Sequence, residues 1–147
     1  MPISLSVLSL DVDQISSSST HTWGHTWAGA ATFTGETLTL NAGSYTDGTT
    51  TNRAITASTL NLNATNGAIG GTGDDAIDIV VTDVAVNTVG GSNAYIKEAV
   101  DGFNISGASS VGAGTLSLDA NGDITQGAAI TAGTLLTTNT NGATNLG

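Results

Sequence analysis

The sequence predicts an all-β fold, a parallel β-solenoid of about six coils of about 20 residues, and three observations carry that expectation. A line repeats: Val111-Gly-Ala-Gly-Thr-Leu-Ser-Leu-Asp-Ala-Asn-Gly-Asp-Ile is followed by Ile130-Thr-Ala-Gly-Thr-Leu-Leu-Thr-Thr-Asn-Thr-Asn-Gly-Ala. A third copy stands upstream as Ile55-Thr-Ala-Ser-Thr-Leu-Asn-Leu-Asn-Ala-Thr-Asn-Gly-Ala-Ile. Apolar anchors near Leu38, Leu60, Ile79, Ile96, Leu116 and Leu135 recur at a comparable interval. Finally, no window supports a helix beyond a turn or two, because Gly occurs 20 times and threonine is abundant, and neither suits a helix interior.

Taken in order, Met1–Ile15 alternates apolar and polar residues in two phases, which reads as a strand with a bulge and as an N-terminal cap. Ser16–Thr20 reads as a polar linker. His21-Thr-Trp-Gly-His-Thr-Trp places His21, Trp23, His25 and Trp27 on one face if extended. Thr32–Leu40 alternates as a strand, and Gly43–Asn52 reads as a polar loop. After the copy at Ile55–Ile69 comes Gly70-Gly-Thr-Gly-Asp-Asp, then a β-branched run over Ala76–Val89. Two short strands, in Ala94–Val100 and Gly102–Ile105, flank an Asp101-Gly102 turn. Leu60, Leu62, Leu116, Leu118 and Leu135 are expected to point inward, and Thr59, Asn61, Thr115 and Ser117 outward. Ala57, Gly114 and Gly133 are expected at corners. The division is residues 1–53 as cap and first coils and 54–147 as solenoid repeats. Both belong to one continuous domain, expected to be a piece of a longer chain.

An antiparallel β-sandwich is the competing fold, since Asn-Gly is the strongest short hairpin signal. Sandwiches give turn signals every 8 to 12 residues or so, whereas Asn-Gly recurs here in similar repeats of about 20.

Composition narrows the function classes. Two Lys+Arg against 12 Asp+Glu give a formal charge of -10, which argues against nucleic acid and anionic membranes, both bound through Lys and Arg. Only 10% of residues are charged and 39% are hydrophobic, so the chain is neither a polyelectrolyte nor too polar to bury a core. With no cysteine, disulfides and thiolate metal sites are excluded. No apolar run approaches the ~18 residues of a membrane span.

No catalytic or cofactor site is legible. Arg53 and Lys97 are the only basic residues, too few for the base and acid clusters of polysaccharide-cleaving β-helices. Gly70-Gly-Thr-Gly-Asp-Asp-Ala-Ile-Asp matches a calcium-binding nonapeptide once. Calcium needs six to eight oxygens or so from tandem copies, and Ile79–Asn87 does not repeat it, so solvated Asp74, Asp75 and Asp78 are expected instead. His21 and His25 at i and i+4 on a strand stand roughly 13 Å apart, too far to share a zinc ion. Trp23 and Trp27 could stack on sugar rings; the plainer expectation is that they cover the terminal coil. Outward Thr, Ser and Asn are too irregular for an ice-binding face.

The line Gly114-Thr-Leu-Ser-Leu-Asp-Ala-Asn-Gly-Asp-Ile-Thr-Gln-Gly-Ala-Ala-Ile-Thr-Ala-Gly-Thr-Leu resembles the repeats of filamentous-haemagglutinin-type exoproteins, the large bacterial adhesins and two-partner-secretion or autotransporter passengers. Ala94-Tyr-Ile-Lys-Glu-Ala-Val-Asp-Gly-Phe-Asn-Ile is similar to another of their lines. The resemblance covers about Ala54–Gly147. It implies a right-handed parallel β-helix, bacterial export to the surface, and an adhesive or structural role without catalytic residues. Expected partners are neighbouring repeats of a longer chain, a second copy stacked end to end, or surface glycans. The alternative function is a carbohydrate-binding module using Trp23 and Trp27.

Overall fold

The computed structural model describes residues 18–20, 25–27, 31–47, 55–98 and 100–147. Their strands are β1 (Ser18–Thr20), β2 (His25–Trp27), β3 (Ala31–Ala42), β4 (Tyr45–Asp47), β5 (Ile55–Ala64), β6 (Ile77–Asn87) and β7 (Ala94–Glu98). They continue with β8 (Phe103–Ile105), β9 (Ser109–Ser110), β10 (Thr115–Ala120), β11 (Ile124–Gln126), β12 (Ile130–Thr131), β13 (Thr134–Asn139) and β14 (Thr144–Asn145). A 3-10 turn at Gly73–Asp75 is the only helical element among the described residues. All the strand pairings are parallel. Parallel neighbours cannot be joined by a tight hairpin, so each turn of chain must travel round and return one level up. That is a β-solenoid, and it excludes the antiparallel sandwich.

Two columns of paired residues mark the levels. Thr20, Asn41, Asn63, Asn87, Ser110 and Thr131 are successive rungs of one. His25, Tyr45, Ile69, Ala94, Leu116 and Leu135 are successive rungs of the other. The described residues therefore wind through about five turns, several of them a little longer than the repeated sequence line suggests. One extrusion adds to that length. Ile69 pairs with Ala94 and Ile77 with Ile96, so the whole segment Gly70–Ala76 stands where Tyr95 alone stands in the next coil. The Gly71 N–H to Asp75 carbonyl bond at 2.7 Å closes this excursion, while Gly70 N–H donates to the Tyr45 carbonyl at 2.9 Å and keeps the ladder.

The core is the stack of inward side chains. On β10, Leu116, Leu118 and Ala120 are buried while Thr115, Ser117 and Asp119 are half-exposed. On β5, Ile55, Ala57, Leu60, Leu62 and Ala64 are buried and Thr59, Asn61 and Asn63 are not. This is the expected in/out alternation. Each inward aliphatic residue lies on another one level away, as Leu40, Leu62 and Val86 do. Burying such a side chain contributes roughly 1.5–3 kcal/mol. One corner is built on stacked glycines. A Cβ on Gly122 would lie 2.5 Å from the Gly102 nitrogen, and one on Gly142 would overlap the Gly122 carbonyl carbon. Asn121-Gly122 and Asn141-Gly142 are therefore stacked corners, not hairpins.

Several expectations need correction. The anchors Leu38, Leu60, Ile79, Ile96, Leu116 and Leu135 do not form one column. Leu60 pairs with Leu38 and Val84, Ile79 with Ile55 and Glu98, and Leu116 with Ala94 and Leu135. Ala57 is a buried mid-strand residue rather than a corner; Gly114 and Gly133 do precede strands at a corner. Ser18–Thr20 is not linker but a strand against Thr39–Asn41, and Tyr45–Asp47 interrupts the expected loop with a strand against His25–Trp27. The Met1–Ile15 cap lies outside the described residues.

Candidate functional site

Several polar side chains of the described coils hydrogen-bond from one coil to the next. Asn63 Nδ2 donates to Asn41 Oδ1 at 2.9 Å, and Asn87 Nδ2 to Asn63 Oδ1 at 3.2 Å. Asn87 Oδ1 then accepts the Ser110 N–H at 3.1 Å. The Asn63 and Asn87 amides each donate toward the N-terminal coil. A second column joins Asp83, Asn104 and Thr125: Asn104 Nδ2 donates to Asp83 Oδ1 at 2.9 Å, and Thr125 Oγ1 to Asn104 Oδ1 at 3.1 Å. In a third column Asp78, Lys97 and Asp119 are backbone partners by register on three adjacent strands. Cross-strand opposite charges stabilise a sheet.

Two buried polar groups are explained by turns. Glu98, 2% exposed, accepts the Val100 N–H at 3.1 Å and the Asp101 N–H at 2.5 Å. Burial holds its carboxyl above the ordinary glutamate range; the two N–H bonds pull the other way, and the Asp101 charge adds to the rise. Asn139, two rungs up in the same column, caps its own turn by accepting the Gly142 N–H at 2.6 Å. Ser109 Oγ accepts the Val86 N–H at 3.0 Å and donates to the Gly107 carbonyl at 3.2 Å, bridging the connection between β8 and β9 to β6. Burial pushes the Tyr45 hydroxyl up, and that hydroxyl donates to the Asn63 carbonyl at 3.4 Å.

A shallow open groove crosses the corner beside β8 and β11, lined by Thr82, Asp101, Phe103, Asn104, Asp123 and Thr125. Its Asn104 and Thr125 belong to the second polar column, and Asp123 Oδ1 accepts the Ala143 N–H at 2.7 Å. Asn104, Asp123 and Thr125 are thus occupied in stacking coils.

The residues singled out from the sequence are not brought together. Asp74 and Asp75 sit exposed on the extruded turn, while Asp78 is 6% exposed on β6, in register with Lys97. The nonapeptide match is thereby split between an excursion and a strand. Among the described residues no group of three or more His, Cys, Asp or Glu could hold a metal ion. The His25–Trp27 backbone pairs with Tyr45–Asp47, and His21 and Trp23 lie outside the described residues. Sequence reasoning missed the amide column, whose signal was Asn at intervals of 22 and 24, and the Asp78–Lys97–Asp119 column. No helix among the described residues is long and apolar enough to cross a membrane. No family model, curated protein or solved structure matches the chain.

Proposed function

We propose that this chain is a structural or adhesive β-solenoid segment of a secreted, surface-exposed bacterial exoprotein of the filamentous-haemagglutinin type, working as a rod whose coils continue end to end. The observation that carries the reading is the parallel stack itself, in which coil lies on coil in register and the Asn41–Asn63–Asn87 column ties one to the next. Leu135 occupies the inward column in which Ile69, Ala94 and Leu116 are 0% exposed, yet it is itself 39% exposed. Its outward neighbour Leu136 is 50% exposed, and no charged residue follows Asp123. An uncharged edge strand with an uncovered inward column suits another parallel coil, just as β10 suits β13. The polar columns support a rod too, since they are consumed in holding coils together.

The test is light scattering and electron microscopy of the chain against Leu135→Lys. Concentration-dependent elongated assemblies, lost in the variant, support end-to-end stacking. A chain that stays monomeric at high concentration, with β13 amides protected from hydrogen exchange, overturns it. Glycan-array binding abolished by Trp23→Ala or Trp27→Ala would replace the rod with a carbohydrate-binding module.

A further inference from the structure

We infer that the Asn66-Gly67 corner is a site of spontaneous backbone modification, forming a succinimide well ahead of the other two Asn-Gly pairs. The chemistry is general to this dipeptide. The deprotonated Gly nitrogen attacks the Asn Cγ, a new C–N bond closes a five-membered imide, and ammonia leaves with the amide nitrogen. Water then opens one of the two imide carbonyls, giving aspartate or a backbone-lengthened isoaspartate. No oxidant, reductant or cofactor enters. Glycine after Asn permits closure because it carries no Cβ to crowd the ring and leaves the backbone free to rotate.

The three pairs share a sequence but differ in restraint. At Asn121 the side chain is held at both ends: Nδ2 donates to the Val100 carbonyl at 3.3 Å, and Oδ1 accepts from Asn141 Nδ2. Gly122 is packed between the corners above and below, against Gly102 and Gly142. At Asn141 the side chain is tied to Asn121, and the attacking nitrogen is itself occupied, since Gly142 N–H donates to Asn139 Oδ1 at 2.6 Å. Asn66 lacks these ties. It is exposed, and neither its side chain nor the Gly67 N–H makes a hydrogen bond among the described residues. Only its own N–H is anchored, to the Gly43 carbonyl at 2.9 Å. A Cβ on Gly67 would meet the Ser44 Cβ at 3.0 Å and the Gly43 carbonyl oxygen only at 3.6 Å, an ordinary contact, so backbone encloses this corner far less tightly than it does Gly122 or Gly142.

The modification has a structural reading. It adds a carboxylate to a chain already at -10. As isoaspartate it also lengthens the connection between β5 and the Ile69 rung, which joins Tyr45 to Ala94.

The experiment holds the folded chain at mildly alkaline pH and 37 °C or so, a range that ionises part of the amide population without unfolding, with circular dichroism as the check on folding. Peptide mapping by mass spectrometry then follows amide-to-acid conversion at each pair, against the same chain in denaturant. In denaturant the three pairs should convert at similar rates. In the folded chain Asn66 should convert roughly tenfold or more faster than Asn121 or Asn141, each held by hydrogen bonds that must first open. A Gly67→Ala variant should slow conversion at Asn66 alone. Folded-state conversion that is fastest at Asn121 or Asn141, or equal at all three, overturns the assignment, as does no conversion at Asn66 while the denatured chain converts.

Discussion

Asn63 sits between Asn41 and Asn87 with its side-chain amide engaged on both sides, donating to the first and accepting from the second. A neutral hydrogen bond contributes about 0.5–1.5 kcal/mol net. Asn63→Ala should therefore cost about 1–3 kcal/mol in denaturant unfolding, with Asn61→Ala, which loses one 3.2 Å bond to Thr39, costing less. Equal small losses would mean the column is incidental to stability.

Leu118 is fully buried between Ile96 and the rung at Thr137. Leu118→Ala should cost about 2–5 kcal/mol. Its neighbour Ser117 faces outward, and Ser117→Ala should be within about 0.5 kcal/mol of the parent. Leu135→Ala should fall well below Leu118→Ala, because Leu135 already meets solvent. Thermal unfolding that fails to rank the three this way would refute the in/out assignment.

Glu98 gives a pH signature. Because burial raises its folded-state pKa above the unfolded value of about 4.3, the fold binds this proton more tightly than the unfolded chain does. Its linked stabilisation is complete below the unfolded value and is lost as pH rises through the folded one. A carboxyl-carbon NMR titration should put the Glu98 midpoint above the ordinary glutamate range, and Glu98→Gln should flatten stability across that window. A midpoint below the ordinary range would show that the two backbone bonds outweigh burial.

The excursion at Gly70–Ala76 should be dispensable. Deleting Gly71–Ala76 leaves Gly70 between Ile69 and Ile77, as Tyr95 stands between Ala94 and Ile96. Circular dichroism should be unchanged and the melting temperature should move by only a few degrees, on the order of a surface-loop effect. Chelator should leave the parent's melting temperature unmoved, since Asp74 and Asp75 are exposed and apart from Asp78. Collapse of the deletion variant, or a large chelator shift, would make the turn a structural centre.

Strand, corner and in/out alternation were legible because each follows from local pattern. Thr-Leu-x-Leu-x-Ala alternates over both Thr59–Ala64 and Thr115–Ala120, and both become strands with buried leucines. What pattern could not reveal is which side of the coil each unit occupies. Leu60 stacks on Leu38 and Val84, Leu116 on Ala94 and Leu135, so one strand-and-corner unit serves two different sides. The extrusion at Gly70–Ala76 also disrupts any count of residues per turn. The site was less legible for a related reason. The stacking partners of Asn63 and Lys97 lie a full coil away along the chain, and their identity depends on that register. Glu98 is buried by the same register, which pairs it with Ile79 on one side and Ala120 on the other.

The near-constant interval between rungs bears on how such a chain reaches its native state. The amide column closes loops of 22, 24 and 23 residues, and no later coil must reach back further than the one beneath it. Closure entropy grows with the logarithm of loop length, so every added coil meets nearly the same entropic barrier as the last. Length can increase without lengthening the typical contact, and growth can spread from any coil that forms first. Assembly by successive winding on a finished edge, rather than one concerted collapse, is the kinetic regime this geometry favours.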